Sequence, residues 1–349
     1  MSGGRPLGVW LPNVRTGSGT DGFTRDLADG LMRHGVRTKI AWLPLRAEYA
    51  PWSVPVPSVP DWVDLIHVNS WLHIRFFADA GRPVVATSHG CVHDPALRPY
   101  KSQLQALYHQ IWIKPQEART LATAAAVTAV SAYTAAQLST AFALDDVRVI
   151  PNWLPADAFE PVLRPPHEGP FRLVFIGNWN RRKGVDLLAP IMRRLGDGFL
   201  LSYTGTPRPD EDLPANMRPL GWATSRAQVR AWLREADAML FPSRLEGMPL
   251  AVLEAMGVGL PVVAARAASL PEVVIDGETG LLRATDDIDG FVTAIRRLRD
   301  EPALRVAMQT SAMARTRAEY AEDLAISRYL RVYAEVLDRG NATVSGARQ

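Results

Sequence analysis

Residues 238–264 constrain the fold most strongly, because two apolar runs flank a stretch with helical spacing. Ala238–Phe241 has the length and composition of a buried parallel strand. A loop follows, and Pro249 then suits the first turn of a helix, where its missing N–H group is no loss. Helical spacing continues to Met256, and a second apolar run covers 261–264. The sequence therefore predicts a strand–loop–helix–strand unit.

The start of this helix predicts an anion site. The free N–H groups near Leu250 and Ala251 carry partial positive charge and suit a phosphate. Glu246 stands at the carboxyl edge of the strand, where open α/β sheets bind ligands. Glu254 lies about a turn into the helix, where a carboxylate can accept two hydrogen bonds from a vicinal diol. The pattern favours a nucleotide diphosphate that carries a sugar, although two solvated surface acids would also fit it.

Residues 243–282 also resemble a known family. The pattern E-G-x-P-L-x-x-x-E-A-M is followed by G-x-P-V-V-A and then by L-P-E-V-V-x-D-G-x-T-G-L-L. This combination resembles the retaining family-4 glycosyltransferases, or glycosyl transferases group 1, of the GT-B fold. The resemblance implies an α/β protein with two doubly wound Rossmann-like domains that face each other across a cleft. It implies a nucleotide-sugar donor in the second domain and an acceptor in the first.

The resemblance also implies roles for matching residues. Glu246 would orient the donor sugar or support its cationic transition state, and Glu254 would hold the ribose. Glu246, His89 and Lys183 form the implied catalytic set. The implied donor-binding residues are Gly19, Gly177, Asn178, Arg182, Lys183, Gly247, Met248, Pro249, Leu250, Ala251 and Glu254. The family pattern implies no cofactor, no protein nucleophile and no metal, and the acidic loop 210–212 has no His or Cys nearby.

A basic loop follows the apolar strand at 173–176. Such a loop at a strand's carboxyl edge can neutralise a diphosphate, although basic runs are also common in solvated turns. The family pattern here is G-R-x-x-x-x-K-G, and Lys183 matches its lysine. Asn178 stands where the family has arginine, so either Arg181 or Arg182 could supply that charge.

The first domain offers a glycine-rich loop and a histidine. Residues 17–22 formally match G-x-G-x-x-G, with Asp21 as the expected N-cap of the following helix. The gap from strand to loop is long for a dinucleotide turn, and the next strand ends without a ribose-binding acid, which disfavours a dehydrogenase. By resemblance, Gly19 faces the donor phosphates. His89, after the strand at 84–87, resembles the family histidine that contacts the donor sugar, with a structural histidine as the alternative.

The length of 349 residues predicts two domains. The predicted organisation is an acceptor-binding domain at 1–160, a nucleotide-sugar-binding domain at 161–320, and a helix with a tail at 321–349. The proline-rich stretch 155–170 is expected to link the domains, and residues 340–349 are expected to be a disordered tail. In GT-B proteins the final helix crosses back to the first domain.

Composition restricts the partners and the compartment. The net charge of +3 is too small to imply nucleic acid, and the single cysteine, Cys91, fits a reducing compartment. The N-terminus lacks the features of a signal peptide, and the uncharged run 120–144 is too poor in apolar residues to span a bilayer. The protein is therefore expected to be cytoplasmic.

Residues 98–119 interleave aromatic and basic side chains. This mix fits either a membrane interface or an ordinary helix with a solvated face. We expect peripheral contact with the inner membrane face, and a glycan or lipid-linked glycan acceptor in surface polysaccharide or lipopolysaccharide biosynthesis. UDP-sugars and GDP-mannose are both compatible donors. A non-catalytic nucleotide-sugar-binding subunit is the main alternative, and a GT-B epimerase or phosphorylase would share the fold.

Overall fold

The computed structural model describes residues 5–159 and 168–346, with side chains described up to residue 339. The chain divides into two compact units. The first contains the residues up to Asn152 and those from Glu322 onward, and the second is Trp153–Ala321. Each unit contains one six-stranded parallel sheet. The prediction of an α/β protein with two doubly wound domains is confirmed.

The first sheet has the strand order β2-β1-β3-β4-β5-β6. Its strands are β1 Gly8–Val14, β2 Arg37–Leu43, β3 Leu65–Asn69, β4 Val84–Ser88, β5 Ala126–Ala129 and β6 Val147–Val149. Nearly every residue of β3, β4 and β5 is buried, as expected for parallel strands covered on both faces. The helices between them are α1 Gly19–Arg33, α2 Arg46–Tyr49, α3 Gln103–Tyr108, α4 Lys114–Thr123 and α5 Ala132–Phe142, with a π-turn at His109–Ile113.

The second sheet has the strand order β12-β11-β10-β7-β8-β9. Its strands are β7 Phe171–Phe175, β8 Phe199–Thr204, β9 Met217–Gly221, β10 Ala238–Phe241, β11 Val262–Ala265 and β12 Gly280–Arg283. The helices are α6 Val185–Leu195, α7 Arg226–Glu235, α8 Leu250–Gly257, α9 Leu270–Val273, α10 Ile288–Asp300 and α11 Pro302–Glu319. The predicted strand–loop–helix–strand unit is therefore present as β10, α8 and β11.

The last helix, α12 Glu322–Gly346, packs against α1 in the first unit. Gly30 permits the close approach, because a Cβ atom there would lie 2.6 Å from Cδ1 of Ile326. The predicted tail is wrong for residues 340–346, which continue the helix. Gly340 is a weak stop signal, since one glycine inside a helix costs only about 1 kcal/mol. Residues 347–349 lie outside the described residues.

The division between the units falls before the proline-rich stretch. The N–H group of Leu154 donates to the carbonyl of Tyr320 at 2.8 Å, which holds this strand-like segment to the second unit. Of the predicted linker, residues 160–167 lie outside the described residues. Among the residues that are described, no helix combines the length and apolar content that a membrane span requires.

Candidate functional site

The second sheet has a switch point between β7 and β10, from which successive connections leave in opposite directions. Open α/β sheets bind ligands outside the carboxyl ends of their strands at such a point. Residues 176–184 follow β7, and residues 242–249 follow β10. These are the two loops in which the sequence predicts Lys183 and Glu246, so the topology brings both to one sheet edge.

Hydrogen bonds and a close backbone contact hold the two loops together. The carbonyl of Arg182 accepts from the N–H group of Arg244 at 2.9 Å, and the Arg182 guanidinium donates to the carbonyl of Leu245 at 2.7 Å. Gly184 has a left-handed backbone with φ of 72°, and a Cβ atom there would lie 2.2 Å from the carbonyl oxygen of Pro242. Only glycine fits this approach without strain. The basic loop, residues 176–184, is therefore fixed against the loop 242–249, which carries Glu246.

Glu246 lies at the centre of a charged cluster. Its carboxylate is 2.6 Å from Nζ of Lys183, accepts a hydrogen bond from Ser243, and lies 3.8 Å from the Arg182 guanidinium. Glu246 is only 6% exposed, so its charge is shielded from water and depends on these partners. Two cations face one carboxylate, which leaves a net positive charge. Such an excess at the ligand edge of a sheet suits an anionic ligand.

The two candidate arginines occupy different places. Arg182 lies beside Glu246, whereas Arg181 is 76% exposed at its side chain and points towards Asp186, with Nε 3.8 Å from the carboxylate. Asn178, which stands at the family arginine position, is exposed. Arg182 is therefore the cation that reaches the cluster around Lys183.

The helix α8 begins directly after the loop 242–249. Pro249 is its N-cap residue rather than part of its first turn, and none of the side chains that the structure describes caps the helix there. The N–H groups of Leu250 and Ala251 have no acceptor within the helix, and both residues are partly exposed. Gly247 and Met248 connect this helix start to Glu246. One short segment thus presents free amides and a charged cluster.

Glu254 borders a recess next to the start of α8. Leu250 also lines this recess, together with Arg226 and Arg230 of α7 and four residues of the segment 153–158. Arg230 is held by Asp157 at 2.9 Å. The sequence reading missed both arginines, because their helical spacing on α7 is that of an ordinary solvated face.

Arg244 is a second residue that the sequence reading missed. Its guanidinium makes paired hydrogen bonds to Asp186 at 2.7 and 2.9 Å and a third to Asp286 at 2.6 Å, and its side chain is 7% exposed. These carboxylates raise the pKa of Arg244 above its ordinary value. Arg244 therefore links the loop 242–249 to α6. The pattern S-R-L-E-G gave no indication of this role, because the partners are distant in sequence.

The glycine that follows β7 is held in place by Thr204. Gly177 donates its N–H group to Oγ1 of Thr204 at 2.8 Å. In the nearby acidic loop, Glu211 accepts from the indole N–H group of Trp179 at 2.7 Å, and Asp212 pairs with Arg193. The described parts of the chain contain no group of three His, Cys, Asp or Glu side chains that could hold a metal.

The glycine-rich loop of the first unit differs in detail from its prediction. Ser18, not Asp21, is the N-cap of α1, which begins at Gly19. Asp21 is buried and instead accepts hydrogen bonds from the N–H groups of Thr16 and Gly17 at 3.1 and 2.9 Å. Around Gly19 there is open space, since a Cβ atom there would meet no atom of the described ranges within 4 Å. A buried carboxylate therefore shapes this loop.

His89 follows β4 at the carboxyl edge of the first sheet. Its ring packs edge-on against Phe23 with centroids 4.3 Å apart, and Nε2 is 3.0 Å from Oδ1 of Asn69. Burial lowers the pKa of His89 to about 4, so the imidazole is neutral at pH 7. His67, in contrast, is enclosed between Tyr333 and Thr87 and is structural.

The two parts of the chain match two related family models. Residues 20–157 match the model described as Glycosyltransferase Family 4, and residues 170–301 match the model described as Glycosyl transferases group 1. Among curated proteins, glycogen synthase of Mycobacterium tuberculosis is 33% identical over 171 residues, which cover 46% of this chain and 41% of that protein. The lipopolysaccharide core biosynthesis glycosyltransferase LpsD of Rhizobium meliloti is 28% identical over 208 residues, covering 56% and 59%. The chain spans about half the length of these curated relatives.

Solved structures with the same fold cover nearly the whole chain. Sucrose-phosphate synthase from Thermosynechococcus elongatus has a TM-score of 0.79 at 19% identity, covering 95% of this chain and all of that one. HepE of Anabaena in complex with UDP has a TM-score of 0.69 at 16% identity, covering 94% of this chain and all of that one. These structures establish the GT-B fold. The two matching models show that the chain belongs to the family 4, group 1 glycosyltransferases.

Proposed function

We propose that the protein is a retaining glycosyltransferase that moves a sugar from a UDP-sugar or GDP-mannose to an acceptor hydroxyl. The observation that carries this proposal is the cluster of Lys183, Arg182 and Glu246 at the switch point, beside the uncapped start of α8. A diphosphate matches both the excess positive charge and the free amides. The solved structure of HepE with UDP, which shares the fold, supports a nucleotide ligand.

The donor would lie along the two loops after β7 and β10. Lys183 uses one of its three N–H donors on Glu246 in this structure and has two further donors for phosphate oxygens. Arg182 would take the place of the family arginine that is missing at Asn178. Glu254 would hold the ribose hydroxyls. The remaining proposed donor contacts are Gly19, Gly177, Asn178, Gly247, Met248, Pro249, Leu250 and Ala251.

Catalysis would depend on charge stabilisation and positioning. The diphosphate develops negative charge as it leaves, and fixed cations and amides aimed at that charge lower the barrier. Glu246, held between Lys183 and Ser243, would orient the donor sugar or stabilise its cationic transition state. His89 would accept a hydrogen bond from a sugar hydroxyl. We propose that no divalent metal and no other cofactor takes part.

Two measurements test the reaction type. The anomeric configuration of the product, read by NMR and compared with that of the donor, should be retained, and inversion would contradict the proposal. Chelator should leave the rate unchanged, and loss of activity that Mg²⁺ or Mn²⁺ restores would contradict metal independence. A thermal-shift series with UDP, GDP, ADP and their sugars identifies the donor, because a ligand that binds only the folded protein raises Tm.

A non-catalytic nucleotide-sugar-binding subunit remains the second candidate, because Asn178 departs from the family pattern. The two candidates differ in one observable. A transferase hydrolyses its donor slowly without an acceptor, and Glu246→Gln should remove that hydrolysis while the nucleotide still binds. Nucleotide binding without any hydrolysis in the isolated protein would favour the subunit.

We further propose that the acceptor is a glycan or lipid-linked glycan of surface polysaccharide or lipopolysaccharide biosynthesis, reached at the inner membrane face. The name of the relative LpsD supports this class of acceptor. The first unit exposes large apolar side chains in two segments, Leu104, Leu107 and Ile111 in one and Tyr49 and Trp52 in the other, and we infer that they form one apolar patch that suits a membrane. Leu104 is 80% exposed, Trp52 65% and Ile111 64%. Apolar side chains at such exposure are costly in water and gain free energy at a lipid interface.

Contacts join the two segments of this patch. The indole N–H group of Trp112 donates to the carbonyl of Glu48 at 3.0 Å, and its ring lies edge-on to that of Trp52 with centroids 5.9 Å apart. Exposed arginines close in sequence to these side chains would favour an anionic surface. Arg46, Arg98 and Arg119 are exposed nearby in sequence, whereas the carboxylate of Glu117 is fully buried.

Vesicle sedimentation tests the membrane proposal. The protein should bind vesicles that contain anionic lipid and bind neutral vesicles less. The double substitution of Leu104 and Ile111 by Ser should weaken binding at least tenfold. Val306→Ser is a matched control, since Val306 is 58% exposed but lies on α11 in the second unit. Equal binding by all variants, or none by the wild type, would refute the proposed patch.

A further inference from the structure

Four side chains at the carboxyl edge of the first sheet form a single file of hydrogen bonds. Nε2 of His89 is 3.0 Å from Oδ1 of Asn69, and Nδ2 of Asn69 is 2.7 Å from Oδ1 of Asn13. Nδ2 of Asn13 is in turn 2.7 Å from Oγ1 of Thr24, whose hydroxyl donates to the carbonyl of Thr20 at 3.0 Å. The file runs from β4 through β3 and β1 to α1.

The last bond fixes the direction of all the others. The carbonyl of Thr20 can only accept, so the single hydroxyl proton of Thr24 is committed to it. Thr24 must therefore accept from the amide N–H₂ group of Asn13, whose oxygen then accepts from Asn69. The oxygen of Asn69 is left facing His89 and needs a donor there. That requirement places the proton of the neutral imidazole on Nε2.

Burial keeps water from replacing the partners at the Thr24 end of the file, whereas Asn69 and His89 are half-buried. Asn13 is 5% exposed and Thr24 is 4% exposed. A buried amide or hydroxyl without a partner costs free energy, so the file favours one complete arrangement. At the open end of the file, Nδ1 of His89 has no hydrogen-bond partner among the residues that the structure describes.

We propose that Asn69, Asn13 and Thr24 are positioning residues that hold His89 in the tautomer with its proton on Nε2. Nδ1 is then a lone-pair acceptor at the sheet edge, available to a hydroxyl group of the sugar. The role of that acceptor rests on the proposed glycosyltransferase function. The tautomer itself does not, because it follows from the contacts within the first unit.

Counting hydrogen bonds gives the expected size of the effect. The observed arrangement contains four bonds, from His89 to the Thr20 carbonyl. Reversing both amides, so that His89 accepts at Nε2, retains three, because the Thr24 hydroxyl must then turn to Asn13. One hydrogen bond of difference corresponds to a tautomer ratio on the order of tenfold.

Thr24→Val removes the residue that sets the direction. Without the hydroxyl, both arrangements of the two amides retain two hydrogen bonds, so the two tautomers should become about equally populated. Thr24→Ser keeps the hydroxyl and should preserve the wild-type ratio. Neither substitution touches the His89 ring directly.

The ¹⁵N NMR spectrum of protein labelled at histidine measures the tautomer, with His89→Gln used to assign the His89 signals. The proposal expects a protonated Nε2 in the wild type and Thr24→Ser, and near-equal protonation of both nitrogens in Thr24→Val. A proton on Nδ1 in the wild type, or an unchanged ratio in Thr24→Val, would overturn it. A role limited to stability would lower Tm in Thr24→Val without changing the ratio.

Kinetics then separate this proposal from the proposed function. If His89 acts on the sugar, Thr24→Val should lower kcat about twofold or more with a nearly unchanged KM for the donor, and Thr24→Ser should retain the wild-type kcat. An altered tautomer with an unchanged kcat would refute the link to the sugar while leaving the file of hydrogen bonds intact. An expected tautomer without any transferase activity would refute the proposed function alone.

Discussion

The buried pair of Lys183 and Glu246 allows a sharp test of how the charged cluster is held together. Lys183→Met removes a partner at 2.6 Å and leaves a carboxylate that is 6% exposed. Removing one member of a buried pair costs about 3–5 kcal/mol of the free energy of unfolding. The Ser243 hydrogen bond remains, and the Arg182 guanidinium lies at 3.8 Å, so we expect a loss at or just below the lower end of that range, about 2–3 kcal/mol.

A double-mutant cycle isolates the pair. Glu246→Gln removes the uncompensated charge, so adding it to Lys183→Met should recover about 1–2 kcal/mol of the loss. Arg181→Met is the matched control, since this exposed side chain on the same turn should change stability by less than about 0.5 kcal/mol. Native-state hydrogen exchange at the β7 and β10 amides measures these changes within the second unit. A loss in Arg181→Met equal to that in Lys183→Met would refute the reasoning.

Two further predictions concern the backbone and pH. Gly184→Ala should destabilise the second unit by about 3 kcal/mol or more, because its Cβ atom would lie 2.2 Å from the carbonyl oxygen of Pro242. Gly17→Ala is the control, since Gly17 has a similar φ but open space around it, and it should cost only about 1–2 kcal/mol. Equal losses of stability in urea denaturation would contradict the close-contact argument. Burial lowers the folded-state pKa of His67 to about 3 and that of His89 to about 4, so between those values and about 6.5 the unfolded chain binds more protons. Stability of the first unit should therefore fall as pH drops below 6.5, by up to about 1.4 kcal/mol per pH unit for each histidine, and a flat profile from pH 6.5 to 4.5 would contradict the buried neutral state.

The parts of the molecule that the sequence predicted are those with local signals. The β10–α8–β11 unit follows from apolar spacing within one short stretch. Lys183 and Glu246 were each predicted to follow a strand at its carboxyl edge, and parallel strands end at the same edge of a sheet. The family motifs indicated two doubly wound domains, whereas the chain length alone indicated only the number of domains.

The remaining features depend on contacts between distant residues. In the sequence, Arg244 resembles an ordinary loop arginine, because its partners Asp186 and Asp286 are distant along the chain. The choice of Arg182 over Arg181 depends on which way a short turn points its side chains. The same holds for the file of hydrogen bonds that ends at His89, whose other members come from β3, β1 and α1. Spacing rules do not encode such pairings.

Calorimetric titration with UDP and GDP tests the central claim most directly. The claim is that Lys183 and the start of α8 hold the same diphosphate. The wild type should bind one of the two nucleotides, Lys183→Met should weaken that binding at least tenfold, and Arg181→Met should leave Kd within about twofold. Unchanged affinity in Lys183→Met would contradict the account, and so would an equal loss in both variants.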